Sequence, residues 1–116
     1  ITALQAPPKK IEYMIQEFKT RRNLILNLLS EINGFSCNMP HGAFYVFPDI
    51  SSLFGKTFNG KKIKNATDLS LYLLEEALVA TVTGDAFGNP NCIRISYAAS
   101  QAQITEAISR IKKALA

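Results

Sequence analysis

Val79-Ala80-Thr81-Val82-Thr83-Gly84-Asp85-Ala86-Phe87-Gly88-Asn89-Pro90-Asn91-Cys92-Ile93-Arg94-Ile95-Ser96-Tyr97-Ala98-Ala99-Ser100 holds two strand candidates joined by a loop that Gly84 and Gly88 break. Within residues 92–97 the side chains alternate, with Ile93, Ile95 and Tyr97 on one face and Cys92, Arg94 and Ser96 on the other. The first face is apolar and belongs against a core, so Arg94 points away from it. A guanidinium offers a flat fork of donors that grips a carboxylate through two parallel hydrogen bonds, and it keeps its charge at any ordinary pH. Arg94 is therefore a candidate anion receptor. A solvated arginine on the polar face of a half-covered sheet is the commoner case for such a pattern, and the spacing alone leaves both readings open.

Outward from this stretch, residues 79–83 read as one strand, 84–91 as a loop and 92–97 as a second strand. The last helix starts at Ser100, which has the capping-box spacing to Gln103, and Ile104, Ala107, Ile108, Ile111 and Leu115 line its buried face. Before residue 79, Leu69, Leu71, Tyr72, Leu73, Leu74, Ala77 and Leu78 make a helix that is apolar on more than one side, capped by Asn65 or Thr67 with Asp68 in its first turn. Such a helix is expected to be buried against both the sheet and another element. Residues 49–66, punctuated by Ser51, Ser52, Gly55, Asn59, Gly60 and lysines, read as a loop with one short helical turn at 50–54. Residues 35–38 and the aromatic run 43–47, separated by Met39-Pro40-His41-Gly42 and stopped by Pro48, suggest a hairpin.

Furthest out, residues 1–6 are a short lead-in and Pro7-Pro8 opens a helix. Ile11, Met14, Ile15, Phe18, Ile25, Leu28, Leu29 and Ile32 recur along it at three- and four-residue steps as one apolar stripe, and Gly34 follows as a C-terminal cap. A helix over residues 8–32 is ~37 Å long at 1.5 Å per residue, more than a small domain needs for its own core. It packs either on that core or along a neighbouring domain. The order helix, hairpin, helix, two strands, helix predicts an α+β domain in which helices pack on a small, largely antiparallel sheet.

At 116 residues the chain is one domain's worth, large enough to bury a core and short for a complete enzyme of most classes. A composition of 47% hydrophobic and 19% charged residues excludes the disordered and fibrous classes. The net charge of +4 comes largely from Lys56, Lys61, Lys62 and Lys64, which fit a solvated lysine loop better than a nucleic-acid contact. Cys37 and Cys92 lack ligand spacing and His41 is the only histidine, so no metal site is expected. Sparse cysteines fit reduced thiols. With no membrane-length apolar run and no targeting pattern, a soluble cytoplasmic protein is expected, and a start at Ile1 suggests a fragment.

Two segments carry a resemblance. Val82-Thr83-Gly84-Asp85-Ala86-Phe87-Gly88 followed by Ile93-Arg94-Ile95-Ser96-Tyr97-Ala98 resembles the closing segment of class I and II aminotransferases that depend on pyridoxal phosphate: a strand, a Pro-Gly or similar pair, a Phe-Gly loop, then Ile-Arg-Ile/Leu-Ser-Tyr-Ala before the last helix. Upstream, Pro40-His41-Gly42-Ala43-Phe44-Tyr45-Val46-Phe47-Pro48 resembles the same family's Pro-x-Gly-Ala-Phe-Tyr segment, at the right distance and in the right order. Thr83 departs from it, since many relatives have proline there.

The resemblance covers nearly the whole chain and implies the C-terminal small domain of a fold-type I aminotransferase, with the aspartate aminotransferase group the nearest flavour. It implies that Arg94 binds the substrate α-carboxylate, where lysine would lack the fork. Gly42 and Phe44 match a segment near the substrate, although a turn at Gly42 and core packing by Phe44 are their primary expected roles. The cofactor lysine, the pyridine-binding aspartate and the phosphate-binding residues are implied to lie in a large domain outside this chain, so this chain supplies no catalytic, cofactor-binding or metal-binding residue and is expected to be inactive alone. Amino-acid and 2-oxo-acid substrates, with aspartate and 2-oxoglutarate favoured, and a homodimer are implied for the whole protein. Two other readings stand beside this one. A regulatory amino-acid-binding α+β domain also fits Arg94, and Gly42–Phe47 resembles the aromatic strand of RNA-recognition domains, though alanine replaces the first stacking aromatic and the element order differs.

Overall fold

The computed structural model describes residues 1–116, and proline decides how it begins. A single helical turn, α1 (Thr2–Gln5), leads to Pro7, and Pro8 then takes the first position of a 3-10 turn over Pro8–Ile11, where its missing N–H costs nothing. The chain continues into α2 (Glu12–Ser30), whose cap residue Glu31 donates its N–H to the carbonyls of Leu28 and Leu29. There follow β1 (Tyr45–Val46), β2 (Thr57–Phe58), β3 (Lys61–Lys62), α3 (Ala66–Glu76), β4 (Val82–Thr83), β5 (Ile93–Ser96) and α4 (Gln101–Ala114).

β5 is the middle strand of a three-stranded antiparallel sheet ordered β1-β5-β4. Tyr45 lies opposite Ser96, Val46 opposite Ile95, Val82 opposite Arg94 and Thr83 opposite Ile93. Helices cover one face of the sheet only. There Val46, Ile93 and Ile95 join Ile25 and Leu29 of α2, Leu69 and Leu73 of α3, and Ile104, Ile108 and Ile111 of α4 in one buried cluster. The Tyr72 hydroxyl donates to the Ala114 carbonyl at 2.7 Å and ties α3 to the end of α4. This is the expected α+β class, and no helix is long and apolar enough to cross a membrane.

Both expected caps form. The Gln103 N–H donates to Ser100 Oγ at 3.2 Å while the Ser100 N–H donates to Gln103 Oε1 at 3.1 Å, closing the capping box. At α3 the cap is Asn65, not Thr67, with the Asp68 N–H donating to Asn65 Oδ1 at 2.8 Å. Thr67 instead donates its hydroxyl to Thr83 Oγ1 at 3.2 Å, and Thr83 donates to Asp85 Oδ2 at 3.0 Å. The residue that departs from the aminotransferase pattern thus holds the start of the glycine-rich loop.

Four expectations need correction. Residues 35–38 do not form a strand; Ser36 and Asp49 make one bridge, and the ladder stops because Pro48 has no N–H and the chain swings toward α2, where Arg22 Nη1 donates to the Pro40 carbonyl at 3.1 Å. Residues 43–47 contribute β1, but it pairs with β5, so the expected hairpin is absent. A different hairpin lies inside the expected loop: β2 and β3 pair across Asn59-Gly60, with φ of 47° and 77°, the twist that a two-residue turn of this kind requires. Its lysines are exposed, and Lys61 pairs with Glu75 and Glu76 at 2.6 and 3.0 Å rather than being merely solvated. Finally, α3 is buried on one side only: Leu71 and Leu74 on its outer side, and Leu78 just past its end, are about half exposed or more.

The helix stripe of α2 is also divided. Ile25, Leu29 and Ile32 are buried, whereas Ile11, Met14 and Ile15 are between 42% and 49% exposed. The radius of gyration, 15.8 Å, exceeds the roughly 13 Å of a compact domain of this length because residues 1–16, none of them buried, extend beyond the core.

Candidate functional site

The uncovered face of the sheet carries Tyr45 from β1, Arg94 and Ser96 from β5, and Val82 from β4, the positions that alternate with the buried ones. Of the four arginines, three have polar partners. Arg21 pairs with Glu17 at 2.8 Å, Arg110 with Glu106 at 2.8 Å, and Arg22 donates to Pro40 and Asn23. Arg94 has none. Its guanidinium carbon instead lies 4.7 Å from the centre of the Phe87 ring and 5.2 Å from that of Tyr45, in cation–π contact with both. The planar N–H donors remain unspent on a half-buried side chain, which is the arrangement that receives a carboxylate by a two-bond grip.

Phe87 reaches Arg94 because its loop folds back tightly. The segment Gly84–Phe87 is a 3-10 turn, the Gly84 N–H donates to the Cys92 carbonyl at 2.8 Å, and the Asn89 N–H donates to the Gly84 carbonyl at 3.0 Å. A Cβ at Gly84 would collide with the Asn89 and Cys92 carbonyl oxygens, so only glycine lets the strand and the loop approach this closely. Phe47 meets the Phe87 ring edge-on, with centroids 6.0 Å apart.

Gly42 and Phe44 are elsewhere. The chain bends at residues 41–44 as the sequence suggests, but the left-handed residue of that bend is Ala43, at φ 61°, and not Gly42. Nor is Phe44 a core residue: it is 48% exposed and lines a groove of about 330 Å³ with Met14, Ile15, Phe18 and Arg22, where the first half of α2 stands away from the sheet. Its backbone is nevertheless well anchored. The Tyr97 N–H donates to the Phe44 carbonyl at 2.8 Å and the Tyr97 hydroxyl to the Ala43 carbonyl at 3.0 Å. Burial pushes the Tyr97 phenol up, which keeps it a donor. Of the two aromatic neighbours of Arg94, the sequence marks Phe87, in the Phe-Gly loop of the resemblance, but gives Tyr45 no site role. Tyr45 depends on the register of β1 against β5, and Phe87 on the turn of its loop between Gly84 and Gly88.

Other chemistry-bearing groups stand apart from this face. All nine lysines are exposed, and the pairing of Lys61 with Glu75 and Glu76 holds its ammonium above the usual lysine range. Burial pushes both the Cys37 and Cys92 thiols up.

Residues 1–111 match the family model described as aminotransferase class I and II. The chain is 44% identical over 115 residues to an aspartate aminotransferase of Rhizobium meliloti, covering 98% of this chain and 28% of that protein. It is 48% identical over 103 residues to the bifunctional aspartate aminotransferase and glutamate/aspartate-prephenate aminotransferase of Petunia hybrida, covering 88% of this chain and 22% of that protein. The crystal structure of the aspartate aminotransferase from Rhizobium meliloti superposes with a TM-score of 0.93 at 43% identity, covering 98% of this chain and 29% of that one. An alanine aminotransferase from Pyrococcus furiosus superposes with a TM-score of 0.84 at 31% identity, covering 97% and 27%. The chain thus spans less than a third of the length of the relatives it matches.

Proposed function

Because this chain belongs to the class I and II aminotransferase family, we propose that it is the C-terminal small domain of an aminotransferase and supplies the receptor for the substrate α-carboxylate. The observation that carries the reading is Arg94, the one arginine without a polar partner, held by two aromatic rings on the open face of the sheet. A carboxylate placed there receives two parallel charged hydrogen bonds, which orient an amino acid as well as bind it. The family implies pyridoxal phosphate as cofactor, and when bound it supplies the electron sink for amino transfer. The residues of this chain do not fit as its anchor, since a lysine that forms a Schiff base needs a desolvated setting and all the lysines here are exposed.

In this reading the large domain lies outside the chain, and the exposed apolar run of Ile11, Met14 and Ile15 packs against it. The favoured substrates are L-aspartate and 2-oxoglutarate, the assembly is a homodimer, and the location is the cytoplasm. The specificity rests on the relatives named for aspartate. The regulatory-domain alternative has no observation of its own beyond Arg94.

The test is made on the full-length protein loaded with pyridoxal phosphate. L-Aspartate is expected to change the cofactor absorption as the amino group is transferred, and 2-oxoglutarate to reverse it. A protein that binds amino acids without binding the cofactor, or whose cofactor spectrum responds to no L-amino acid, contradicts the proposal.

A further inference from the structure

An arginine side chain in water samples many rotamers, and fixing it for a ligand costs conformational entropy. Proteins commonly fix such a side chain with a carboxylate, but a carboxylate here would occupy the same donors that the substrate needs. Arg94 is held differently. The rings of Phe87 and Tyr45 lie 4.7 and 5.2 Å from the guanidinium carbon, and because a ring accepts no conventional hydrogen bond the donors of Arg94 stay unpaired. Phe87 is in turn set by the closed loop of Gly84, Asn89 and Cys92 and by the edge of Phe47. Yet its ring is 46% exposed and is not part of the buried cluster, so a role in core packing does not account for its place.

We propose that Phe87, with Tyr45 beside it, is a positioning residue that pre-orders the Arg94 guanidinium for the substrate carboxylate. The inference rests on the reading of Arg94 as the carboxylate receptor and adds how that receptor is kept ready. Without its ring Arg94 must be ordered by the substrate itself, but once the two-bond grip has formed it orients the amino acid as before, so the loss falls on ground state and transition state alike. It raises KM and leaves kcat nearly unchanged.

The experiment is a double-mutant cycle in the full-length protein loaded with pyridoxal phosphate, read by steady-state kinetics and by competitive inhibition with succinate. Phe87→Leu is expected to raise the KM for the amino acid and the inhibition constant of succinate roughly five- to tenfold, the range of one partly desolvated cation–π contact. Phe87→Tyr, which keeps the ring, should restore both to within about twofold. In an Arg94→Ala background the Phe87→Leu change should have no further effect, because there is no cation left to position. Tyr45→Leu repeats the test from the second ring should Phe87→Leu melt early. Equal losses with and without Arg94, or an unchanged KM in the Arg94-containing protein, overturn the positioning role. A wild-type protein that transaminates but is indifferent to Arg94→Ala overturns the carboxylate reading and this inference together, whereas loss on Arg94→Ala with none on Phe87→Leu overturns the inference alone.

Discussion

Ile93 and Arg94 are joined by one peptide bond and face opposite ways from the same strand. Ile93 has no exposed surface and lies in the buried cluster with α2, α3 and α4. Arg94 lies on the side no helix covers, with two rings for company and its donors unpaired. The backbone treats them alike, since both positions sit in one antiparallel ladder. What separates them is cover: one face of the sheet is spent on folding and the other is left for binding. A small domain can hold a charged receptor rigidly in this way without burying it, because the rigidity comes from the apolar neighbours one residue away.

The comparison breaks most visibly at the core. Ile93→Ala removes a fully buried side chain at the centre of the sheet and is expected to lower stability by about 3 to 4 kcal/mol, measured by urea unfolding. Arg94→Ala, its neighbour, gives up two partly exposed cation–π contacts but no core packing, and should lower stability by about 1 kcal/mol at most. Similar losses from the two would show that Arg94 supports the fold and is not reserved for a ligand.

A smaller effect sharpens the comparison from the far side of the molecule. Leu78 follows α3 with φ of 55° and is 74% exposed, so it combines a left-handed backbone with an uncovered apolar side chain. Leu78→Gly should raise stability by roughly 0.5 to 1 kcal/mol, since glycine adopts that conformation without the Cβ penalty and little packing is lost. A loss on unfolding the same protein would mean that Leu78 packs more than its exposure indicates.

Much of the folded half was legible in the sequence because its signals are local. Ser100 and Gln103 cap α4 from three residues apart, Asn65 caps α3 in the same way, and the alternation of Ile93, Arg94 and Ile95 assigns each to its face. The misreadings concern partners. Periodicity marked the stripe of α2 but not where it is covered, so Ile11, Met14 and Ile15 read the same as Ile25 and Leu29. The apolar outer side of α3 was misread for the same reason. The β2–β3 hairpin is a different failure, because Asn59-Gly60 is a strong local turn signal that the surrounding lysines obscured. Of the site, Arg94 was legible from alternation and from the resemblance together. Tyr45 was not, because it meets Arg94 only through the β1–β5 register, and Phe44 next to it turned out to line the groove under α2.

The most direct measurement compares the binding of L-aspartate with that of its α-carboxamide to the full-length protein loaded with pyridoxal phosphate, for the natural chain and for Arg94→Ala. A two-bond grip on the α-carboxylate predicts that the natural protein prefers the acid by about a hundredfold, in line with roughly 3 kcal/mol for charge-assisted hydrogen bonds, and that Arg94→Ala erases most of that preference. A preference that survives the loss of Arg94 intact would contradict the account, because the α-carboxylate would then be held by some other group.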